Sequence, residues 1–229
     1  MAMLRLDNVA MRYDGGPEVL RGVNLSLDPG GFHYVMGPSG AGKTSLLRLL
    51  SLIHPPCRGR VHLFGRNVAE LSRSDLAAVR RRIGVIFQDF RLLDHLSAFD
   101  NVALPLRISG ARDEQISGFV SEMLGWLGLA DVIEAKPPAL SMGQRQLLAV
   151  ARAVITRPGL LLADEPTASI DGKRADRLMN LFDQLHKLGS TVLFVTHNDY
   201  LVRRHPHPVL HMANGQLIAP APESLAAAD

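Results

Sequence analysis

Apolar and polar residues alternate over residues 4–9 and again over 23–27. This period of two predicts half-exposed strands, with Val23, Leu25 and Leu27 on one face. The turn cluster Asp28-Pro-Gly-Gly31 leads into Phe32-His-Tyr-Val-Met36, which reads as a buried strand. Past a glycine-rich loop, residues 45–52 carry the apolar stripe of a helix. Residues 59–64 read as a strand closed by Gly65, and Ser72 or Ser74 is placed to cap a helix running through Arg82. Ile83-Gly-Val-Ile-Phe87 is a further buried strand. From about residue 99 to 155 no strand pattern is present. Residues 113–127 place Ile116, Val120, Met123, Leu124 and Leu127 at helical spacing, with Trp126 among them as a packing residue, and 143–155 form a second strong helical pattern. Strands then return. Residues 160–163 are wholly apolar, as in a strand buried in a parallel sheet. A helix from about Lys173 to Lys187 precedes the strand 191–195, and residues 208–212 and 216–218 flank the hairpin signal Asn214-Gly215.

This order predicts an α/β fold. Residues 1–88 and 156–218 form the core, 89–155 a helical insertion, and the Ala/Pro-rich residues 219–229 a disordered tail. No internal repeat is visible. With 229 residues, 47% hydrophobic and 21% charged, the chain suits one such domain or two small lobes. The net charge of +3 is too small to indicate nucleic acid, and the short run Arg80-Arg-Arg82 reads as a solvated helix face. A single cysteine, Cys57, permits no internal disulfide and suits a reducing compartment. No ligand set surrounds it, so neither metal binding nor catalysis is expected there. The first residues lack the apolar core of a signal peptide, and no apolar run approaches the ~18 residues needed to span a bilayer. The expectation is a cytoplasmic chain whose membrane role, if any, comes through a partner.

Chemistry enters with Gly37-Pro-Ser-Gly-Ala-Gly-Lys43-Thr44. It fits the phosphate-loop pattern and stands between a strand and a helix. Gly37, Gly40 and Gly42 let backbone approach phosphate, Lys43 supplies charge to the β- and γ-phosphates, and the Thr44 hydroxyl can ligate Mg2+. Asp164 and Glu165 close the apolar strand at 160–163. An acidic pair there is by itself an ordinary strand end. Beside a phosphate loop, Asp164 becomes a holder of the Mg2+ water shell and Glu165 a base for the attacking water. His197, just past the strand 191–195, lies on the same sheet edge and can reach a γ-phosphate. Ser141 is a good N-cap for the helix beginning near Gly143, and a capped helix start attracts anions. One chain has no free phosphate for it, so this second site makes sense only against the nucleotide of another copy.

Taken in order, these motifs resemble the ATP-binding subunits of ABC transporters over nearly the whole chain, to about Gly215. Residues 37–44 match the Walker A loop, Phe87-Gln88 the Q-loop and Leu140-Ser-Met-Gly-Gln144 the signature. Leu160 to Glu165 matches Walker B, Ala168-Ser-Ile-Asp171 the D-loop and His197 the switch histidine. The resemblance implies an ABC-type core with a mixed sheet, an N-terminal antiparallel part and a helical subdomain. It implies hydrolysis of Mg-ATP by a head-to-tail homodimer, each ATP lying between one copy's loop and the other's signature. Nucleotide contacts would fall on Tyr13 (stacking on adenine), Gly37, Pro38, Ser39, Gly40, Ala41, Gly42, Lys43, Thr44, Ser45 and Gln88, with Ser141, Gly143 and Gln144 from the second copy. Thr44, Gln88 and Asp164 would serve the metal; Glu165, His197 and Lys43 would be catalytic. Gln88 would report the γ-phosphate to an integral membrane partner docked at the helical insertion, leaving the chain peripheral to the cytoplasmic face of the membrane, with no nucleic acid involved.

Within the family the resemblance is to the FtsE-type cell-division branch. It rests on Ile86-Phe-Gln-Asp-Phe-Arg-Leu-Leu93, followed by Asn101-Val-Ala-Leu-Pro105. Asp89 sets this apart from the related lipoprotein-releasing ATPases, which with other export subunits remain the alternative. The implied membrane partner is FtsX-like. Soluble family members acting on ribosomes or DNA carry tandem domains or long basic insertions that this chain lacks. A weakly hydrolysing nucleotide-sensing scaffold is a third reading. Six positions depart from the pattern: Met142 replaces the first signature glycine, Ala168-Ser-Ile replaces Gly-Asn-Leu, Asn198 stands for Asp, and Leu147 for Arg. The expectation is normal ATP binding with weak dimer closure and weak isolated turnover.

Overall fold

The computed structural model describes residues 2–218. Two sheets organise it. In the first, β1 (Leu4–Arg12) pairs antiparallel with β2 (Glu18–Leu27) on one side and β4 (Arg58–Leu63) on the other, and β5 (Arg66–Asn67) completes the order β2-β1-β4-β5. In the second, β3 (Phe32–Met36), β6 (Ile83–Ile86), β7 (Leu160–Asp164), β8 (Thr191–Val195) and β9 (Val209–Ala213) run parallel. With the antiparallel edge strand β10 (Gln216–Ile218), they stand in the order β10-β9-β3-β8-β7-β6. The result is the expected α/β fold with a mixed sheet and an antiparallel N-terminal part.

The unbroken apolar runs of β7 and β8 follow from burial on both faces. Leu160, Leu162, Leu193 and Val195 pack with Leu46, Leu49 and Leu50 of α1 (Lys43–Leu50) and with Leu4, Leu6 and Val61 of the antiparallel sheet. Leu161, Ala163, Val192 and Phe194 point the other way. They meet α3 (Ala98–Ile108), α4 (Asp113–Trp126), α5 (Met142–Val154) and α6 (Gly172–Lys187). Each such fully buried leucine or phenylalanine contributes about 1.5–3 kcal/mol over its exposed state.

Several elements depart from the sequence pattern. β1 runs on to Arg12, and β2 begins at Glu18, five residues ahead of the alternation. α1 starts at Lys43 because the loop glycines release directly into it. Ser72, not Ser74, caps α2 (Arg73–Arg81), its side chain accepting from the Asp75 amide at 3.1 Å. α3 has no counterpart in the sequence reading. Ser97 caps it, and Pro105, a residue that ordinarily breaks a helix, stands inside it. The six-residue α7 (Asp199–Arg204) is too short for a periodic signal. Trp126 packs as expected, but at the surface, 39% exposed with the Arg177 guanidinium 5.4 Å from its ring centre. The arginine run is more than a solvated face. Arg80 donates to the Leu52 carbonyl at 2.7 Å, and Arg82 lies 3.9 Å from the centre of the Phe64 ring. The tail expected to be disordered lies outside the described residues.

Candidate functional site

The parallel strands β3, β7 and β8 end on the same edge of the sheet, and the chemistry-bearing residues follow directly from those ends. The loop after β3 is pressed against β2 and β9. A Cβ on Gly37 would overlap the Met212 carbonyl. One on Gly42, whose φ is 102°, would come within 3.0 Å of Met212 Cε and 3.2 Å of Leu20 Cδ2. Only glycine fits these approaches. Gly42 is the N-cap of α1 and brings no capping side chain, and the first turn carries no acidic residue. The first-turn N–H groups and the positive end of the helix dipole are left for an anion. Lys43 Nζ folds back over the loop, donating to the carbonyls of Gly37 (2.7 Å) and Pro38 (2.9 Å).

Asp164, the last residue of β7, is 5% exposed. Burial raises its pKa above the ordinary carboxylate value, and the neighbouring Glu165 charge adds to this. A hydrogen bond from the Thr44 hydroxyl and the charges of Lys43 and Arg48 pull the other way. Glu165 itself takes a left-handed backbone, φ 48°, rare and costly for a non-glycine residue. Its amide donates to the Val195 carbonyl at 3.0 Å, which carries the side chain across to the end of β8. There Glu165 Oε1 lies 2.6 Å from His197 Nδ1, and Oε2 accepts from Thr196 Oγ1 at 3.3 Å. Thr196 Oγ1 in turn accepts from the Asn198 amide at 3.1 Å. Glu165 is thereby sunk at 12% side-chain exposure, while His197 stands at 76%.

A cavity of about 910 Å³ gathers these groups. It is lined by residues 37–45 together with Gln88, Asp164, Glu165 and His197. Its remaining wall was not legible in the sequence. Pro17, Glu18, Val19 and Arg21 contribute from β2 and the turn before it, and Asn214-Gly215 from the β9–β10 turn. That turn is docked by backbone bonds, Gly215 N to Ala41 O (3.0 Å) and Arg21 N to Gly215 O (2.8 Å). The sequence marks it as a hairpin, but only tertiary pairing brings it to the loop.

Two groups of expected residues lie outside the cavity wall. Tyr13 packs on the flank of α1, with its hydroxyl 3.0 Å from Ser45 Oγ and its ring edge-on to His54 at 4.9 Å. The signature residues stand apart at the start of α5. Ser141 Oγ accepts from the Gln144 amide (3.2 Å), and Gln144 Oε1 accepts from the Ser141 amide (2.9 Å), a complete capping box. The Gln144 side chain is therefore engaged within its own helix. Met142 is 62% exposed, and a Cβ on Gly143 would lie 3.1 Å from the Ser169 carbonyl, so signature and D-loop segments touch within one chain. Leu147, where the family pattern has Arg, is 3% exposed in the helical core.

The donor chemistry fits Mg2+. Thr44 and Asp164 bring a hydroxyl and a carboxylate to the wall of one cavity, the hard oxygen set of an ion that keeps most of its waters. Among the described residues no group of three or more His, Cys, Asp or Glu is arranged to hold a metal, so no all-protein cage competes.

Comparison with known proteins agrees with this geometry. Residues 20–168 match the ABC transporter family model. The cell division ATP-binding protein FtsE of Escherichia coli (strain K12) is 38% identical over 215 residues, covering 94% of this chain and 97% of that protein. Its namesake in Streptococcus pneumoniae (strain D39) is 35% identical over 218 residues, 95% of each chain, and that of Mycobacterium tuberculosis 36% over 217 residues, 94% of each. An ATP-binding cassette solved as a dimer in a post-hydrolysis state with ADP and Pi has a TM-score of 0.88 at 33% identity, covering 95% of this chain and 97% of that one. Among the described residues no helix is long and apolar enough to cross a membrane. The chain belongs to the ABC transporter family, as an ATP-binding ATPase subunit related to the FtsE cell-division proteins.

Proposed function

We propose that the chain hydrolyses Mg-ATP as a head-to-tail homodimer and couples closure of that dimer to an integral membrane partner at the cytoplasmic face, an FtsX-like permease in cell division. The observation that carries this is the split of the site. Lys43, Thr44, Asp164, Glu165 and His197 converge on one cavity, while the capped start of α5 lies outside it. A second copy's Ser141 and Gly143 would complete the enclosure.

The loop amides and Lys43 hold the β- and γ-phosphates. Lys43 exchanges the Gly37 and Pro38 carbonyls for phosphate oxygens, a short swing of a flexible ammonium. Thr44 and Asp164 hold Mg2+, which when bound neutralises charge developing on the phosphoryl oxygens. Glu165 accepts a proton from the attacking water, and His197 contacts the γ-phosphate while its Nδ1 stays with Glu165. Gln88 orients the water and senses the γ-phosphate. Tyr13, on the α1 flank, swings to meet adenine. The helical insertion 89–155 receives the membrane partner in a groove of about 420 Å³ lined by Phe87, Arg91, Leu104, Pro105 and Ile108. Glu165→Gln is the test. It should bind ATP, lose hydrolysis and accumulate as a dimer by light scattering; a monomer with ATP bound would contradict the shared site. A sensing scaffold with little turnover is favoured only by Met142, exposed at the seam.

A further inference from the structure

Immediately after Gln88 the chain reverses through two consecutive left-handed residues, Phe90 (φ 59°) and Arg91 (φ 49°). Neither is glycine, so each resists the conformation it holds. Local bonds explain part of the shape, with the Phe90 amide donating to the Phe87 carbonyl at 3.0 Å and the Arg91 amide to the Asp89 carbonyl at 2.7 Å. The reversal turns the Phe90 and Arg91 carbonyls toward α5. There the half-buried Arg152, in the helix's last turn, meets both at once, Nη2 donating to Phe90 O (2.7 Å) and Nη1 to Arg91 O (2.6 Å). Among the described residues Arg152 makes no ion pair, so its charge goes wholly to these two carbonyls. A planar fork satisfying two adjacent carbonyls fixes orientation as well as position, which a single ammonium cannot do.

We propose that Arg152 is a positioning residue for hydrolysis: its guanidinium locks the Phe90–Arg91 reversal and so aims Gln88 into the nucleotide cavity. Arg152 and Ser141 are eleven residues apart on one capped helix, so a shift of the signature end on closure is carried rigidly to the segment that sets Gln88. The helix becomes the lever, and Arg152 its grip on the Gln88 segment. This rests on the reading of Gln88 given above.

Three measurements on the purified chain test it, with Arg152→Lys as the main variant because it keeps charge and bulk and loses the fork. In nucleotide-free protein, amides of residues 89–93 should exchange with deuterium about fivefold faster or more, while those of β7 and the α5 interior stay unchanged. In turnover, kcat should fall roughly tenfold with KM for ATP within about twofold. The double variant Gln88→Ala/Arg152→Lys should be no slower than Gln88→Ala alone, since both losses pass through one side chain. Wild-type exchange at 89–93, a general rise across α3–α5, or a multiplicative loss in the double variant overturns the proposal. If Gln88→Ala itself leaves kcat unchanged, the reading of Gln88 fails, and exchange still reports separately whether Arg152 holds the segment.

Discussion

Asp164 carries a cost at rest. Burial raises its pKa, so in the folded chain the carboxylate binds its proton more tightly than in the unfolded one. For a raised acid the sign is fixed. Stability contributed by the protonated form is present below the unfolded value and is lost as pH climbs through the folded one. Above that window the nucleotide-free protein holds an unfavourable buried charge that Mg2+ would relieve. Asp164→Asn should raise the melting temperature of the nucleotide-free chain at pH 7, with the gain shrinking as pH falls toward the ordinary carboxylate range, while Mg-dependent hydrolysis drops by roughly a hundredfold or more. Thermal melts across pH beside a turnover assay check both signs. Asn198 makes the contrasting case. Its Oδ1 accepts from the Leu201 amide at 3.0 Å, so it caps α7 directly after His197. Aspartate caps equally well, so Asn198→Asp should leave stability within about 0.5 kcal/mol, whereas Asn198→Ala should cost ~1 kcal/mol by urea titration. This departure from the family pattern is thus neutral at the level of the cap. Asp164, Glu165 and His197 were legible because each follows an apolar run that only a central strand explains. The left-handed turn at Glu165 and the carboxylate–imidazole contact were not, since both arise from the side-by-side ends of β7 and β8, 31 residues apart at Thr196 and Glu165.

Elements were legible where period and punctuation agreed. β3 and β8 match their patterns to the residue, because turn-forming or polar residues bound each run on both sides, Gly30-Gly31 and Gly37 around β3, Gly189-Ser190 and Thr196-His197 around β8. α3 failed that test for a physical reason. Its caps and contacts outweigh Pro105, and the stretch before it is held by a side chain that looks like a turn former. Asn101 is fully buried on α3. Its Oδ1 accepts from the Leu93 amide (2.9 Å), while Nδ2 donates to the carbonyls of Leu93 (3.1 Å), Leu96 (3.3 Å) and Ser97 (3.0 Å). The loop between the Gln88 segment and α3 thus closes around one amide. Asn101→Leu, close in size, should strand a buried amide and carbonyls and cost about 2–4 kcal/mol, read from the urea midpoint. An unchanged midpoint would mean that water replaces all four bonds. Because the Gln88 segment enters this same loop, a surviving Asn101→Leu protein should also hydrolyse ATP more slowly.

At the scale of the molecule, the proposed dimer asks one chain to present two half-sites, the cavity beside α1 and the start of α5. Sequence alone marked both halves. It could not show that the two unusual segments touch, Gly143 lying against Ser169 and Ile170, because that contact depends on how α5 stacks beside the turn after β7. The capping box at Ser141 and Gln144 is intact, so the capped helix start survives the change at the position between them. Any effect of Met142 on the proposed closure would therefore come through its bulk. Met142 stands 62% exposed at the first helical position, where in the proposed dimer a second copy's γ-phosphate would approach. Met142→Gly separates bulk from helix stability, since the two respond with opposite sign. Removing the side chain opens the approach and should raise turnover of the purified chain several-fold. Glycine in the first turn should at the same time lower stability by up to about 1 kcal/mol, through the extra backbone freedom of the unfolded chain. Glu165→Gln combined with Met142→Gly should then dimerise at lower ATP than Glu165→Gln alone, measured by light scattering across a nucleotide titration. Unchanged turnover together with an unchanged dimerisation midpoint would show that the seam already closes around methionine, and would move the cause of any weak isolated activity to the Ala168-Ser-Ile segment or to the absence of the membrane partner.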